Sequence, residues 1–598
     1  MRSKTSCFNA AVYRKALSRW WPLWAGAALI LFFYLPFSMA NIRLHGMYAD
    51  MDAAQTVYEI AVSSTDSLPL ITCLYGLVFS AATFGYLFKT RSASMMAALP
   101  LKREGVFCSH FLAGLTMLLS SGLLAALLAA GFTLSKGQQD LTGVLTWLGV
   151  YAAEAVTFYG LGVFCAMLTG QALVLPCLYV LVNFGGAILS ALLGFMAQLL
   201  LIGAPRGQTL SVFRWLTYLS PCTTLLTDTG VRYRFPYALG EQVTPHVGFE
   251  GWTIVLIYLA VGVALAVLSL VLYKRRNMET AQEPVTMRWL GPVLKYIVTF
   301  FCALGLPAMI ILFFGGGAAT STAGLLVFTA LGAAIGYLIS EMILHKSVRI
   351  RRRSWLGVLL AAAAAFLIMG AMKLDVFGYV HRVPDPTEVE HAEFKVFQDL
   401  NAKLTDADVI AELTDIHREL IEVQEPDLYG GVDLQVTYHL KNGRSLMRSY
   451  SVPDDGSEDG PAQRLIRLAS DSEVFDAGQE PLHEVTGSVI EYAEISWNEP
   501  APGDPYEAFY SGAYVNRQFS EKEALDLFEN GILPDLEAGV FPHTFNGRTL
   551  TLPSDALIRY QLYWEDTGSQ NLNYQLTPDC THTLAWLAAH GYEIPGVE

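Results

Sequence analysis

Nine runs of about twenty apolar residues dominate this 598-residue sequence: 22–40, 68–88, 107–134, 144–169, 171–202, 253–272, 292–314, 324–345 and 355–373. A bilayer core takes about 20 such residues per helix, and only helices satisfy their own backbone hydrogen bonds in lipid. The pattern predicts an α-helical polytopic membrane protein with about nine transmembrane helices. Ser38-Met39-Ala40 mimics a signal-peptidase site, but a leader of 21 residues and a full-length apolar run predict that the first segment stays attached.

Charge divides the chain at one point. Of its 54 acidic and 39 basic side chains, residues 1–374 hold 13 and 26, a net of +13. Residues 375–598 hold the other 41 and 13, a net of −28. Such a reversal places two regions in two environments and excludes a single soluble globule. Nucleic acid is not an expected partner, because the basic residues sit between apolar runs rather than on a polar face. Of the eight cysteines only Cys580 lies in the acidic region, so no disulfide can form within it.

The basic residues also set a direction. Arg2, Lys4, Arg14, Lys15 and Arg19 precede the first run; Lys89, Arg91, Lys102 and Arg103 separate the second from the third. Lys274, Arg275, Arg276 and Arg288 follow the sixth, and Lys346, Arg349 and Arg351–Arg353 follow the eighth. With nine spans, all four clusters fall on one side, and the positive-inside rule makes that side cytoplasmic. The N-terminus is then expected in the cytoplasm of a plasma-membrane protein, with the acidic C-terminal domain extracellular. The long connection 203–252 carries Arg206, Arg214, Arg232 and Arg234 outside, which long connections tolerate. Within it, Val212–Pro221 reads as a short aromatic helix at the outer interface.

Beyond residue 374 the apolar period changes. Val409, Leu413, Ile416 and Leu420 mark an amphipathic helix within 406–424. Leu434, Val436, Tyr438 and Leu440 alternate up to an Asn442-Gly443 turn, and the pattern resumes at Leu446, as in a β-hairpin. Further helices are expected near 461–470, 520–529 and 580–590, and strands near 484–497 and 557–564. The region 375–598 is thus expected to be a soluble α+β domain with its own core.

Catalytic signatures are missing: no phosphate-binding loop, no H-E-x-x-H, no G-x-S-x-G and no cysteine–histidine metal spacing. The chain is expected to be no enzyme and to hold no metal or cofactor. Glu154 is the one acid near the middle of a span, where an ionisable group is costly. It reads either as a substrate or proton contact or as a protonated carboxyl hydrogen-bonded within the bundle. Glu341, near His345 and Lys346, reads as a local charge partner. Gly332 and Gly336 form a small-xxx-small pair suited to close helix packing. Residues 91–99 form a short amphipathic stretch ended by Leu99-Pro100, a natural docking knob for a soluble partner. The leader 8–21 is likewise amphipathic and is expected to lie along the inner membrane surface.

Ser92, Met95, Leu99, Pro100 and Arg103 together resemble the coupling helix of type-2 ABC transporter permeases of the exporter-like class. The leader, Cys165–Gly170 closing the fourth run, the Leu219-Ser220-Pro221 step and Tyr273–Glu279 resemble the same class in order. The resemblance covers 1–280 and implies four parts: an interfacial helix (1–21), a six-span permease unit (22–280), three further transmembrane helices (281–374) and an extracytoplasmic domain (375–598), as in a Gram-positive-type variant. It further implies that ATP is bound by a separate nucleotide-binding ATPase subunit, which grips Ser92, Met95, Leu99, Pro100 and Arg103. A second permease chain, identical or related, would complete the path for export of a drug, peptide or envelope-related solute. The alternative is a polytopic envelope sensor or resistance protein whose outside domain binds a ligand without transport.

Overall fold

The computed structural model describes residues 8–40, 58–201, 203–204, 213–234, 246–314, 321–347, 352–396, 400–422, 432–452, 460–461, 464–465, 468, 489–499, 513–538, 557–564, 568–576 and 578–592, except 59, 138, 288 and 377. They fold as two compact units, the first drawn from residues up to Gly370 and the second chiefly from Ala371 onward.

Among the described residues, nine helices are long and apolar enough to cross a membrane. They are α1 (Ala10–Tyr34, prolonged by a turn at Pro36–Ala40), α2 (Leu68–Phe84), α4 (Arg103–Ser135), α5 (Thr142–Leu168), α6 (Val174–Leu200), α8 (Trp252–Arg275), α9 (Leu290–Phe314), α10 (Thr322–His345) and α11 (Arg352–Lys373). Two short helices, α3 (Thr90–Ala97) and α7 (Pro221–Asp228), lie between them. The described part of the leader runs without a break into the first apolar run, with Pro22 inside the helix and α4 packed alongside it. Asn9 accepts from the backbone N–H groups of Ala11 and Val12, capping α1, and its own N–H donates to Ser109 Oγ. Tyr13 and Trp24 then bond Thr116 and Ser120 of α4.

The most buried span is α5, which packs against α2, α4 and α8. Lipid tails are as apolar as leucine, so packing and interhelical hydrogen bonds must hold such helices together. Tyrosines supply several: Tyr151 donates to the Leu118 carbonyl (3.0 Å), Tyr75 to Ala27 (3.0 Å) and Tyr179 to Cys73 (2.8 Å). Helices α9 and α10 cross at Gly332 and Gly336, where an added methyl at Gly332 would overlap the Cys302 carbonyl. The Val212–Pro221 stretch contains one helical turn, Arg214–Thr217, and exposes Trp215 and Tyr218. After α7 the chain forms a two-stranded antiparallel ribbon, β1 (Gly230–Arg234) and β2 (His246–Glu250).

The second unit contains two four-stranded antiparallel sheets. One comprises β3 (Val389–Val396), β4 (Leu400–Leu404), β5 (Val432–Leu440) and β6 (Ser445–Val452), in the order β4-β3-β5-β6. The other comprises β7 (Val489–Glu499), β8 (Ala513–Gln518), β9 (Leu557–Trp564) and β10 (Gly568–Gln575), in the order β8-β7-β9-β10. Each sheet has a helix after its second strand, α12 (Ala407–Glu422) or α13 (Glu521–Leu527); α14 (Thr581–Ala589) follows β10. The topology is duplicated, and so is a detail: the first strand of each sheet shifts register near its start, between Val389 and His391 and between Ile490 and Tyr492. Superposing the shifts aligns Glu390-His391-Ala392-Glu393 with Glu491-Tyr492-Ala493-Glu494, and Tyr438-His439-Leu440 with Tyr560-Gln561-Leu562.

Each half has its own core. Ile410, Leu413, Ile416 and Leu420 of α12 are buried with Phe394, Leu434, Val436 and Tyr438 of the first sheet. At about 1.5–3 kcal/mol per buried aliphatic side chain, that face holds the helix, and a charge at Leu413 would release it. Leu527 and Leu587 pack with Ile495, Trp497 and Ile558 of the second sheet. The hairpin turns at Asn442-Gly443 as expected, with Gly443 at φ 77°. The expected helix near 461–470 and the strand start near 484 lie largely outside the described residues, as do the side chains of Arg351–Arg353.

Candidate functional site: one end of the helix bundle

At one end of the first unit, three separate pieces of sequence converge. The first is α3. Pro100 disfavours helical geometry at Leu99, so the helix stops there. Ala93 is buried, Ser92 is half-buried, and Met95, Leu99 and Pro100 are exposed. The helix rests on the 3-10 turns Gly85–Phe88 and Met278–Thr280, leaving an apolar edge, Met95 and Leu99, uncovered.

Arg103 opens α4 and reaches the second piece, the segment leaving α8. Its Nη1 donates to the carbonyls of Lys274 and Arg276, both at 2.9 Å. Glu104 pairs with Lys274 Nζ at 2.5 Å. The two ends are thereby clamped by both charge and backbone.

The third piece is the end of α5. A helix leaves its last carbonyls unsatisfied, and a cation there is favourable. Arg276 provides it: Nη1 donates to Ala166 (2.8 Å) and Met167 (3.2 Å), and Nη2 to Thr169 (2.9 Å). Burial draws the Arg276 pKa down to about 10, which still leaves a cation at neutral pH. The strand-like segment 168–171 then pairs with 282–286: Gly170 N–H donates to Glu283 O, Gln282 N–H to Gly170 O, and Thr286 N–H to Leu168 O. A Cβ at Gly170 would overlap the Thr280 carbonyl, so this approach requires glycine. Lys346, at the end of α10, pairs with Glu283 at 3.0 Å.

No protein-family model, curated protein or solved structure matches the chain. The Met278–Thr280 turn lies against α3, and Arg103 and Arg276 link the ends of α4, α5 and α8. The sequence marks Arg276 as part of a basic cluster and of the Tyr273–Glu279 stretch, but its contact with the end of α5 has no local signal.

Glu154 lies elsewhere, mid-way along α5 and buried. Thr72 Oγ1 in the first turns of α2 is 2.9 Å from Glu154 Oε2, and the same hydroxyl lies 2.9 Å from the Leu68 carbonyl. Oε1 makes no hydrogen bond. Glu341 is a charge partner, chiefly of Lys295 on α9 (3.0 Å), with Ser354 Oγ donating at 2.9 Å and His345 Nε2 lying 3.4 Å away. Lys346 is committed to Glu283 instead.

Proposed function

We propose that the chain is the membrane-spanning permease subunit of an ATP-driven transporter of the type-2 ABC class, exporting a drug, peptide or envelope-related solute. The observation that carries this reading is the exposed Met95–Leu99 edge on a helix tied, through Arg103 and Arg276, to the ends of three spans. An apolar edge at such a place is suited to a groove on a soluble partner, and rigid ties are needed if that partner is to move the spans. The partner is a nucleotide-binding ATPase subunit that binds the ATP, in keeping with the missing phosphate-loop motif in this sequence. The end bearing Arg91, Lys102, Arg103, Lys274, Arg275 and Arg276 faces the cytoplasm by the positive-inside rule, with 375–598 then outside the cell. Two permease chains would form the path, rocking between inward- and outward-facing states.

The test joins topology to partnership. Cysteine placed at Ala98 should be labelled by a membrane-impermeant maleimide only after permeabilisation, and an ATPase encoded beside this chain should co-purify with it. Labelling of intact cells at that position, or an ATPase that fails to associate, refutes the reading.

A further inference from the structure

The outer face of the first sheet carries three ligand-type side chains brought together by strand pairing. His391 and His439 are directly opposed in the β3–β5 register, and Glu393 lies two residues along β3 on the same face. Ala392, Phe394 and Tyr438 point the other way, into the core. One ligand atom from each of His391, Glu393 and His439 lies within 4.8 Å of the others. His439 Nε2 is 3.4 Å from Glu393 Oε1, is shielded from solvent and makes no hydrogen bond. Metal–nitrogen and metal–oxygen bonds of about 2.0–2.2 Å put tetrahedral ligand atoms about 3.4 Å apart, so this pair is already at coordination spacing. The two imidazoles stack at 4.4 Å between centroids. Binding one ion would require the rings to turn from this stack about their soft terminal torsions.

We propose that His391, Glu393 and His439 bind a divalent transition-metal ion of the Zn2+ type, bridging β3 to β5 and leaving positions open for water or an incoming ligand. Two imidazoles and one carboxylate suit Zn2+, and suit Mg2+ or Ca2+ poorly, since those prefer all-oxygen shells. The duplicated half supplies an internal contrast. Its equivalent positions are Tyr492, Glu494 and Gln561, and its carboxylate is occupied otherwise, accepting from Asn516 Nδ2 at 2.6 Å. The same scaffold thus exists with and without the histidine pair, so the sheet itself does not demand it. Lys403 lies opposite Glu393 in the β3–β4 register, so its positive charge opposes a second cation at this site.

The proposal is independent of the transport reading and is tested with Zn2+ alone on the full chain in detergent, after chelator treatment. Equilibrium dialysis should find one tightly held Zn2+ per chain. The substitutions His391→Tyr and His439→Gln, which copy the second half, should each weaken that binding at least tenfold with the circular dichroism unchanged. Lys403→Gln should tighten it severalfold, and His381→Asn, which removes a different carboxylate-paired histidine, should leave it unaltered. X-ray absorption of the wild-type Zn2+ complex, which needs no variant to fold, should show two imidazoles and an oxygen shell. No retained Zn2+, equal retention in the two histidine variants, or a spectrum with fewer than two imidazoles overturns the proposal.

Discussion

Arg276 donates from Nη1 to the carbonyl oxygen of Ala166 at 2.8 Å, so a residue just past α8 completes the last turn of α5. Replacing it with methionine keeps an unbranched apolar stem but strands the Ala166 and Thr169 carbonyls, while that of Met167 still accepts from Thr286 Oγ1. Each stranded buried acceptor costs about 1–3 kcal/mol. Arg276→Met is expected to lower the melting temperature in detergent markedly, with Arg276→Lys in between because an ammonium cannot span all three acceptors. Equal melting of the three proteins would mean that water satisfies that helix end.

Met95 on α3 and Leu99 just past its end are exposed, whereas Ala93 on α3 is buried. The double change Met95→Asp with Leu99→Asp should therefore leave the fold intact. If these side chains are the central contact with an ATPase, a loss of about 2 kcal/mol or more is expected, at least ~30-fold in affinity. Ala93→Asp, by contrast, should destabilise the protein itself. An ATPase that binds the double variant as well as the wild type excludes α3 as the grip.

The Thr72 hydroxyl has one hydrogen and two acceptors at equal distance, the Leu68 carbonyl and Glu154 Oε2. When the hydrogen goes to Leu68, Glu154 keeps its bond only by donating. Glutamine can donate in the same place. Glu154→Gln is therefore expected to melt like the wild type and to preserve the ATPase activity of any complex, while Glu154→Leu, which can neither donate nor accept, loses the bond, about 0.5–1.5 kcal/mol. A Gln variant that is stable but inactive would assign the carboxylate a direct part in transport.

These sites were unequally legible. Span lengths could be read because lipid forces every backbone group into a helix, and the β5–β6 hairpin because Asn442-Gly443 is suited to its turn. Helix α12 was legible from Leu413, Ile416 and Leu420, which are buried as expected, whereas Ile410 rather than the half-buried Val409 completes its apolar face. Contacts between distant segments leave no local trace: Arg103 and Arg276 are 173 residues apart, and nothing near either says that they meet. His391 and His439 are similarly hidden, because a metal site made across strands has no fixed spacing. The duplication has little sequence signal, because the two halves share only short stretches such as Ala392-Glu393 and Ala493-Glu494, while the repeated element is a fold.

His417, on α12, is buried beside Arg448, and its Nε2 lies 2.7 Å from the Tyr450 hydroxyl. Burial, then the charges of Arg448 and Arg418, lowers its pKa to about 3. The unfolded imidazole takes a proton near pH 6.5 and the folded one does not, so this group favours the folded state fully above pH 6.5. That contribution falls by about 1.4 kcal/mol per pH unit as pH drops from 6.5 towards 3. His417→Gln keeps a partner for Tyr450 without titrating. Hydrogen exchange in β6 should accelerate between pH 6.5 and 4.5 more in the wild type than in the Gln variant, after correction for intrinsic exchange. Parallel profiles would show that His417 is protonated in the folded protein.

Gly332 faces the backbone of α9 at Cys302, and Gly336 meets the Cys302 side chain one turn later. With no hydrophobic drive between helices in lipid, this close approach is what dispersion and weak backbone contacts must exploit. Gly332→Leu would force the two helices apart along their whole contact, because the obstruction is a carbonyl and not a flexible side-chain tip. The Lys295–Glu341 pair, which links the same two helices, would be stretched with them. A cost of about 1–3 kcal/mol is expected from the overpacking alone. Gly305 of α9 has open space around it and serves as the control, since Gly305→Leu adds the same bulk without a clash. Melting in detergent should fall for the first substitution and not for the second; equal melting would place the α9–α10 packing outside what stabilises the bundle.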